Sequence, residues 1–319
     1  MKHIYVKSEF APLKKVVVTQ SEIYFPKQFK DVDFLSEEMQ NTEEIAGKSF
    51  EEAYPEKQLL WEKEREELIL RLESYGVEVF RPRKLTDFEK EMNAEHGCSN
   101  FFARDPFFTI GNAVIEGSLR FMHRRNEILP VRDLLEQEVL ESDAMYVSVP
   151  RPDNSKGYDS EKGPFLEGGD VLVYGKYVFV GKSGLASNDR GYFWLKHFLE
   201  PMGYEVIQVV LEPNVLHLDC AMSFVREGLM IVSEKALLNE IPEVLKDWDK
   251  ISVDPEEIQY LTINGLPINE ETYITDIQFK DTIGKELEKR NIKVEYIDFA
   301  ISRSMGGSFR CSTQPFLRE

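Results

Sequence analysis

Leu68-Ile69-Leu70-Arg71-Leu72 followed by Val77-Glu78-Val79-Phe80 is an amphipathic stretch running into a short alternating one. Apolar residues at helical spacing need one buried face, and alternation needs a half-buried strand, so the pair reads as helix then strand. The same unit returns as Leu134-Leu135-Glu136-Gln137-Glu138 into Tyr146-Val147-Ser148-Val149, and as Trp194-Leu195-Lys196-His197-Phe198 into Tyr204-Glu205-Val206-Ile207. It returns twice more, as Val244-Leu245-Lys246-Asp247-Trp248 into Lys250-Ile251-Ser252-Val253 and as Leu287-Glu288-Lys289-Arg290 into Val294-Glu295-Tyr296-Ile297. Between the units lie further strand candidates at residues 16–18, 107–111, 222–225 and 229–232, and at 171–181 with a turn near Gly175. Five similar α/β units joined by loops of unequal length predict pseudo-symmetric repetition, with a closed ring of modules as one arrangement, rather than a solenoid. An ordinary doubly wound α/β sheet fits the same alternation, and the pattern alone leaves both open.

No linker divides residues 1–319, so one domain is expected. Residues 27–66, rich in Glu, Lys and Gln, read as a helical insertion at its rim. The polar, turn-rich stretch 150–163 reads as a mobile loop leading into Leu166-Glu167-Gly168-Gly169-Asp170.

The composition, 42% hydrophobic and 30% charged over 319 residues, is that of a globular chain able to bury a sizeable core. A formal net charge of -18 repels nucleic acid and anionic membrane and suits a small cationic substrate, although solvated helix faces such as residues 62–73 account for much of it. Cys98, Cys220 and Cys311 follow neither a disulfide framework nor a zinc pattern, so a reducing compartment is expected. The N-terminal residues run directly into a strand-like pattern, and no apolar run is long enough to span a bilayer, which makes a cytoplasmic location the expectation.

Near the C-terminus, Gly306-Gly307-Ser308-Phe309-Arg310-Cys311-Ser312-Thr313 presents a cysteine in a glycine-rich turn. Ser312 and Thr313 offer hydrogen bonds there and Arg310 favours a thiolate, although cysteine is most often buried and inert. His217 lies two residues from Asp219, a spacing that in an extended strand puts both side chains on one face, where the acid can orient or charge the imidazole. The plainer reading is a hydrogen-bonded core histidine. Glu167 and Asp170 flank Gly168-Gly169, and Asp105 is held extended by Pro106; each acid can instead cap or close a turn. Converging carboxylates repel one another unless a cation neutralises them, and a planar guanidinium matches carboxylates two oxygens at a time. A divalent metal is the competing cation, but one nearby histidine and no ligand-pair spacing argue against it, so neither a metal nor a cofactor is expected.

These motifs, in this order from Pro12-Leu13-Lys14-Lys15-Val16 to Cys311, resemble the guanidino-group-modifying superfamily. Its members, the arginine deiminases, dimethylarginine dimethylaminohydrolases and amidinotransferases, are five-bladed pseudo-symmetric α/β propellers. The resemblance implies a single catalytic propeller domain acting on a small-molecule guanidino substrate; a homo-oligomer is compatible with it. It makes Cys311 the nucleophile, His217 the general acid/base, and Asp105 and Asp219 the acids that grip the guanidinium. Glu167 would orient the histidine, with Asp170 as companion, and Arg124 stands where deiminases bind the substrate carboxylate. Leu166 to Asp170 and His217-Leu218-Asp219 look like the deiminase pattern, which points to a hydrolase. Ala186 stands where deiminases place a second arginine, and Ser187-Asn188 with Gly191-Tyr192-Phe193-Trp194-Leu195 looks like the amidinotransferases, which keeps transfer to a second amine as the alternative. The insertion at residues 27–66 is also shorter than the helical domain of deiminases. A non-catalytic binder of cationic guanidino ligands is the third reading, and it would have no need of Cys311.

Overall fold

Each repeat folds into the same small sheet. Two antiparallel strands form a hairpin, a helical segment follows, and the chain returns to lay a third strand parallel to the hairpin's second strand, a connection that needs the intervening helix to span it. The computed structural model describes residues 3–29, 42–153, 155 and 162–319. In the second blade the strands are Phe107–Ile110, Ala113–Glu116 and Met145–Ser148, with the helix Leu129–Leu140 between the last two. The third blade is Val171–Tyr174, Tyr177–Lys182 and Glu205–Val210 with the helix Asp189–Leu199. Met222–Arg226, Leu229–Val232 and Asp249–Ser252 form the fourth, and Leu266–Asn269, Thr272–Asp276 and Lys293–Ile297 the fifth, with the helix Lys285–Lys289.

The first blade is assembled from both ends of the chain. Leu13–Val18 pairs parallel with Glu78–Phe80, across the long helix Pro55–Ser74, and antiparallel with the C-terminal strand Thr313–Arg318. The short strand Tyr5–Val6 lies parallel to that C-terminal strand on its other side. Among the described residues, five separate sheets of three or four strands, closed by the last strand, exclude the single doubly wound sheet: the fold is a five-bladed α/β propeller, with a two-stranded sheet of Glu22–Tyr24 and Cys98–Asn100 beside it. Isolated bridges Val6 to Gly111, Ser118 to Leu166 and Leu211 to Leu237 join strands and loops of different blades.

Burial follows from this arrangement. Phe107–Ile110, Ala113–Glu116, Leu229–Val232 and Thr272–Asp276 are covered on both faces, so they read as continuous runs with no clean alternation. The third strands, such as Glu205–Val210 and Lys293–Ile297, keep an exposed or half-buried face. Blades share cores: Val16, Val18, Leu68 and Leu72 of the first pack with Leu266, Ile274 and Ile297 of the fifth and with Phe309 beside the cysteine turn.

One sequence expectation changes, and two more fall partly outside the described residues. Val244 to Trp248 is no helix; only the 3₁₀ turn Glu243–Leu245 forms, because Pro242 bars helical backbone just before it and six residues remain before Asp249, yet Leu245 and Trp248 stay buried. Of the insertion expected at 27–66, the described part holds the short helices Thr42–Ile45 and Phe50–Ala53 and the start of Pro55–Ser74; residues 30–41 lie outside the described residues. The loop expected at 150–163 falls largely on residues 154 and 156–161, also outside them. Among the described residues no helix is long and apolar enough to cross a membrane.

Candidate active site

The hairpin's first strand starts, in every blade, just after a polar residue that turns toward one centre. Asp105 stands two residues before Phe107–Ile110, and Glu167 and Asp170 precede Val171–Tyr174. His217 and Asp219 precede Met222–Arg226, Asn264 precedes Leu266–Asn269, and Cys311 precedes Thr313–Arg318. Fivefold repetition thus gathers residues up to 206 positions apart into one buried cluster: Cys311 is 4% exposed, His217 2%, Asp105 1%, and Glu167 and Asp219 0%.

His217 donates from Nε2 to Glu167 Oε2 at 2.9 Å, and its Nδ1 lies 3.9 Å from Asp105 Oδ1. The extended-strand pairing with Asp219 does not occur. Leu218–Ala221 is a single helical turn, which swings Asp219 away from the imidazole to accept from Arg310 at 2.8 Å. Burial would discharge the imidazole, but Asp105, the hydrogen bond to Glu167 and the nearby Asp170 outweigh it and push its pKa up to about 10, so the ring is an imidazolium at neutral pH.

Cys311 Sγ lies 3.8 Å from Asp219 Oδ2. Burial pushes its thiol up, Asp219 and Asp105 push it further, and a backbone hydrogen bond at Ser308 and the charge of Arg310 offset only part of this. Arg310 therefore serves the carboxylates more than the sulfur, donating to Asp219 and, through Nε and a terminal nitrogen, to both oxygens of Glu9 at 3.2 Å. The Cys311 backbone is fixed on both sides: its N–H donates to Asn264 Oδ1 at 3.2 Å and its carbonyl accepts from the Arg104 N–H at 3.2 Å.

Two residues expected to bind the substrate are engaged by the protein's own groups. Arg124 donates to Asp105 at 2.9 Å, to Glu167 at 3.3 Å and to both oxygens of Glu127 at 2.8 and 3.0 Å. Its guanidinium is turned into the acid cluster and held there, so it is no anchor for a substrate carboxylate in this arrangement. Asp170 spends both oxygens on the backbone N–H groups of Ser187 (3.2 Å) and Leu218 (2.9 Å), which fixes the turn carrying His217 and Asp219 and leaves none facing a ligand. Burial lifts its pKa to about 7.

Sequence reasoning missed Asn264, Glu9 and Glu127. Asn264 had a findable signal, since it stands two residues before a hairpin strand, as Asp105 and Cys311 do. Asp105, Glu167 and His217 also bring one donor atom each within 4.8 Å of one another, a spacing that can hold a metal ion. The same carboxylates already carry the Arg124 guanidinium and an imidazolium, and a dication added there would face two resident positive charges. What the arrangement can do is hold a flat cation against acids beside a thiol, with a proton donor at hand.

Such a fold and constellation define the guanidino-group-modifying enzymes. More narrowly, the chain belongs to the family described as N,N dimethylarginine dimethylhydrolase, eukaryotic, whose model matches residues 30–318. Uncharacterized protein YkgA of Bacillus subtilis (strain 168) is 28% identical over 218 residues, covering 68% of this chain and 69% of that protein. Inosamine-phosphate amidinotransferase 1 of Streptomyces griseus is 26% identical over 298 residues, 82% of each chain. In structure, the inosamine-phosphate amidinotransferase StrB1 of Streptomyces griseus superposes with a TM-score of 0.81 at 21% identity, covering 100% of this chain and 97% of that one.

Proposed function

We propose that this enzyme is a cysteine-dependent hydrolase of a small guanidino compound, working through an amidino group carried on Cys311. The observation that carries the reading is the contact sequence from Glu167 to His217 (2.9 Å), from His217 toward Asp105 (3.9 Å) and from Asp219 to the Cys311 sulfur (3.8 Å). The substrate guanidinium sits between Asp105 and Asp219, with its central carbon facing the sulfur. Its positive charge offsets the two carboxylates that hold the thiol's proton, so Cys311 releases that proton to solvent as the substrate binds. The thiolate attacks the carbon, His217 gives its proton to the departing amine, and the C–N bond breaks. The neutral imidazole then takes a proton from water as hydroxide attacks the amidino carbon; the C–S bond breaks, the thiolate departs and takes up the proton the product sheds, and a neutral urea-type product remains. Glu167 keeps the imidazole in register through both proton transfers.

Transfer to a second amine is the other reading. It is favoured by the amidinotransferase relative at 26% identity and by Ala186, which leaves no arginine at the position deiminases use. Incubation with a panel of guanidino compounds, with and without added glycine, ornithine or lysine, separates the two. Ammonia, a free amine or a urea-type product formed without an acceptor supports hydrolysis; a new guanidino compound formed only with an acceptor supports transfer; no change in any compound rejects both.

A further inference from the structure

The rim helix Pro55–Ser74 reaches the cysteine turn through two adjacent buried residues. Glu64 accepts from the backbone N–H groups of Ile301 (2.6 Å) and Ser302 (2.9 Å) and from the Ser302 hydroxyl (2.7 Å), satisfying the first turn of the short helix Ala300–Ser304 that leads into Gly306-Gly307. Arg65, 1% exposed, donates to Ser312 Oγ at 2.5 Å, just past the cysteine, and to the Phe101 carbonyl at 3.1 Å, with its guanidinium 5.1 Å from the Phe299 ring. The segment from Ser302 to Ser312 is thereby pinned at both ends by one turn of one helix. Thr19, at the end of the neighbouring strand, ties the same two acceptor residues together, donating through its hydroxyl to the Phe101 carbonyl (2.7 Å) and through its backbone N–H to the Ser312 carbonyl (3.3 Å).

Both hydrogen-bond acceptors of Arg65 are neutral. A guanidinium taken out of water with neutral acceptors is costly unless something nearby gains from its charge. The carboxylate of Glu64, the preceding residue, offsets part of that cost, and the residue bonded by Arg65, Ser312, directly follows Cys311, whose sulfur becomes negative during the reaction. We propose that Glu64 and Arg65 are positioning residues for Cys311: they hold its turn at the reacting distance, and Arg65 supplies standing positive charge behind the thiolate. The proposal rests on the reading of Cys311 as nucleophile. Burial draws Arg65 down to about 9; Glu64 pulls it back up, Arg81 pushes it further down, and the Cys311 sulfur pulls it up least of the four.

The other charged and titratable groups acting on the sulfur include Asp219, Asp105, Arg310 and the Cys220 thiol, and none of these four is a hydrogen-bond partner of Arg65. The test uses the full chain with Arg65→Met, Arg65→Lys, Ser312→Ala and Glu64→Gln. It follows iodoacetamide modification of the Cys311 peptide against pH, beside kcat, KM and melting temperature. In Arg65→Met the pH midpoint at Cys311 is expected to rise by about one unit, which slows modification near neutral pH about 10-fold. kcat is expected to fall at least about 10-fold with KM little changed, because the loss lies in the reacting step. Arg65→Lys keeps most of the midpoint but loses kcat, since a point charge replaces a planar fork. Ser312→Ala, a change small enough to fold if Arg65→Met does not, moves kcat the same way. Glu64→Gln lowers kcat without moving the midpoint. A wild-type midpoint and wild-type kcat in both Arg65→Met and Ser312→Ala overturns the proposal, as does an effect confined to melting temperature or to KM. If the wild-type chain turns over no guanidino compound, the functional reading fails, while the midpoint shift still decides the role of Arg65.

Discussion

Gly169 has no Cβ, and an added one would stand 2.7 Å from Asp105 Oδ1 and 2.8 Å from His217 Cγ. Gly169→Ala must therefore push apart two groups that the chemistry needs together. It is expected to destabilise the fold by about 1–3 kcal/mol through overpacking. It should also cut kcat by about 100-fold, the penalty for misplacing reacting groups by about an ångström. Calorimetry and steady-state kinetics check this, and an alanine variant with unchanged kcat would separate the imidazole from Asp105 in function. His217 makes a second test at this scale. Its pKa is raised from an ordinary 6.5 to about 10, so the folded chain binds a proton that the unfolded chain releases between those values. The stability it contributes is complete below about pH 6.5 and is lost as pH climbs toward 10. Melting temperature should fall over that interval in the wild type and fall less in His217→Gln; parallel slopes would mean that the imidazole is not charged in the folded state. Cys311, His217, Glu167 and Asp105 were legible because glycine or proline neighbours, or a nearby acid, mark them. The bonds of Arg124 to Asp105 and Glu167 were not legible, because those partners lie 19 and 43 residues away, beyond any local pattern.

Asn264 belongs to the scale of elements. It joins the short connection before the fifth blade's hairpin to the cysteine turn and donates to the Asp219 carbonyl at 3.4 Å, so a single amide couples three blades. Asn264→Ala leaves the Cys311 N–H without its acceptor, at a cost of about 1–3 kcal/mol for an unsatisfied buried donor. A fall in kcat of about 10-fold is the expected kinetic effect, measured beside the denaturation midpoint, because a loosened backbone degrades alignment. Unchanged kcat would show that the turn holds without it. The order of elements in the second to fifth blades was readable, the helix expected at Val244 to Trp248 apart, because each of those blades is built from one continuous stretch such as residues 107–148. What was not readable is conformation set by distant contacts. Leu218–Ala221 winds into one helical turn because Asp170, 48 residues earlier, accepts the Leu218 N–H, and the extended reading of His217-Leu218-Asp219 fails for that reason.

For the whole molecule, closure is the decisive feature. The strand Thr313–Arg318 is buried throughout, carries Phe316 into the core between the first and second blades, and anchors Arg318 on the carbonyls of Ala11 (2.8 Å) and Pro267 (2.7 Å). No sequence pattern near residue 313 announces a partner at residue 13, because pairing between chain ends leaves no periodic trace. A chain ending at Ser312 would keep the nucleophile yet leave the strand Leu13–Val18 with an open edge and an emptied core. Loss of cooperative unfolding by circular dichroism is expected; retained native melting would mean that the ring does not depend on its last strand. The acid excess of the chain, -18, says little about the site, where acids are paired with buried arginines and an imidazolium. The central claim is that the sulfur of Cys311 carries the amidino group between two half-reactions. Acid quench during turnover of a guanidino substrate, followed by peptide mass mapping, tests it directly: an amidino adduct on the peptide containing Cys311 is the expected result. Turnover with no adduct there, or with the adduct on Cys98 or Cys220, would contradict it.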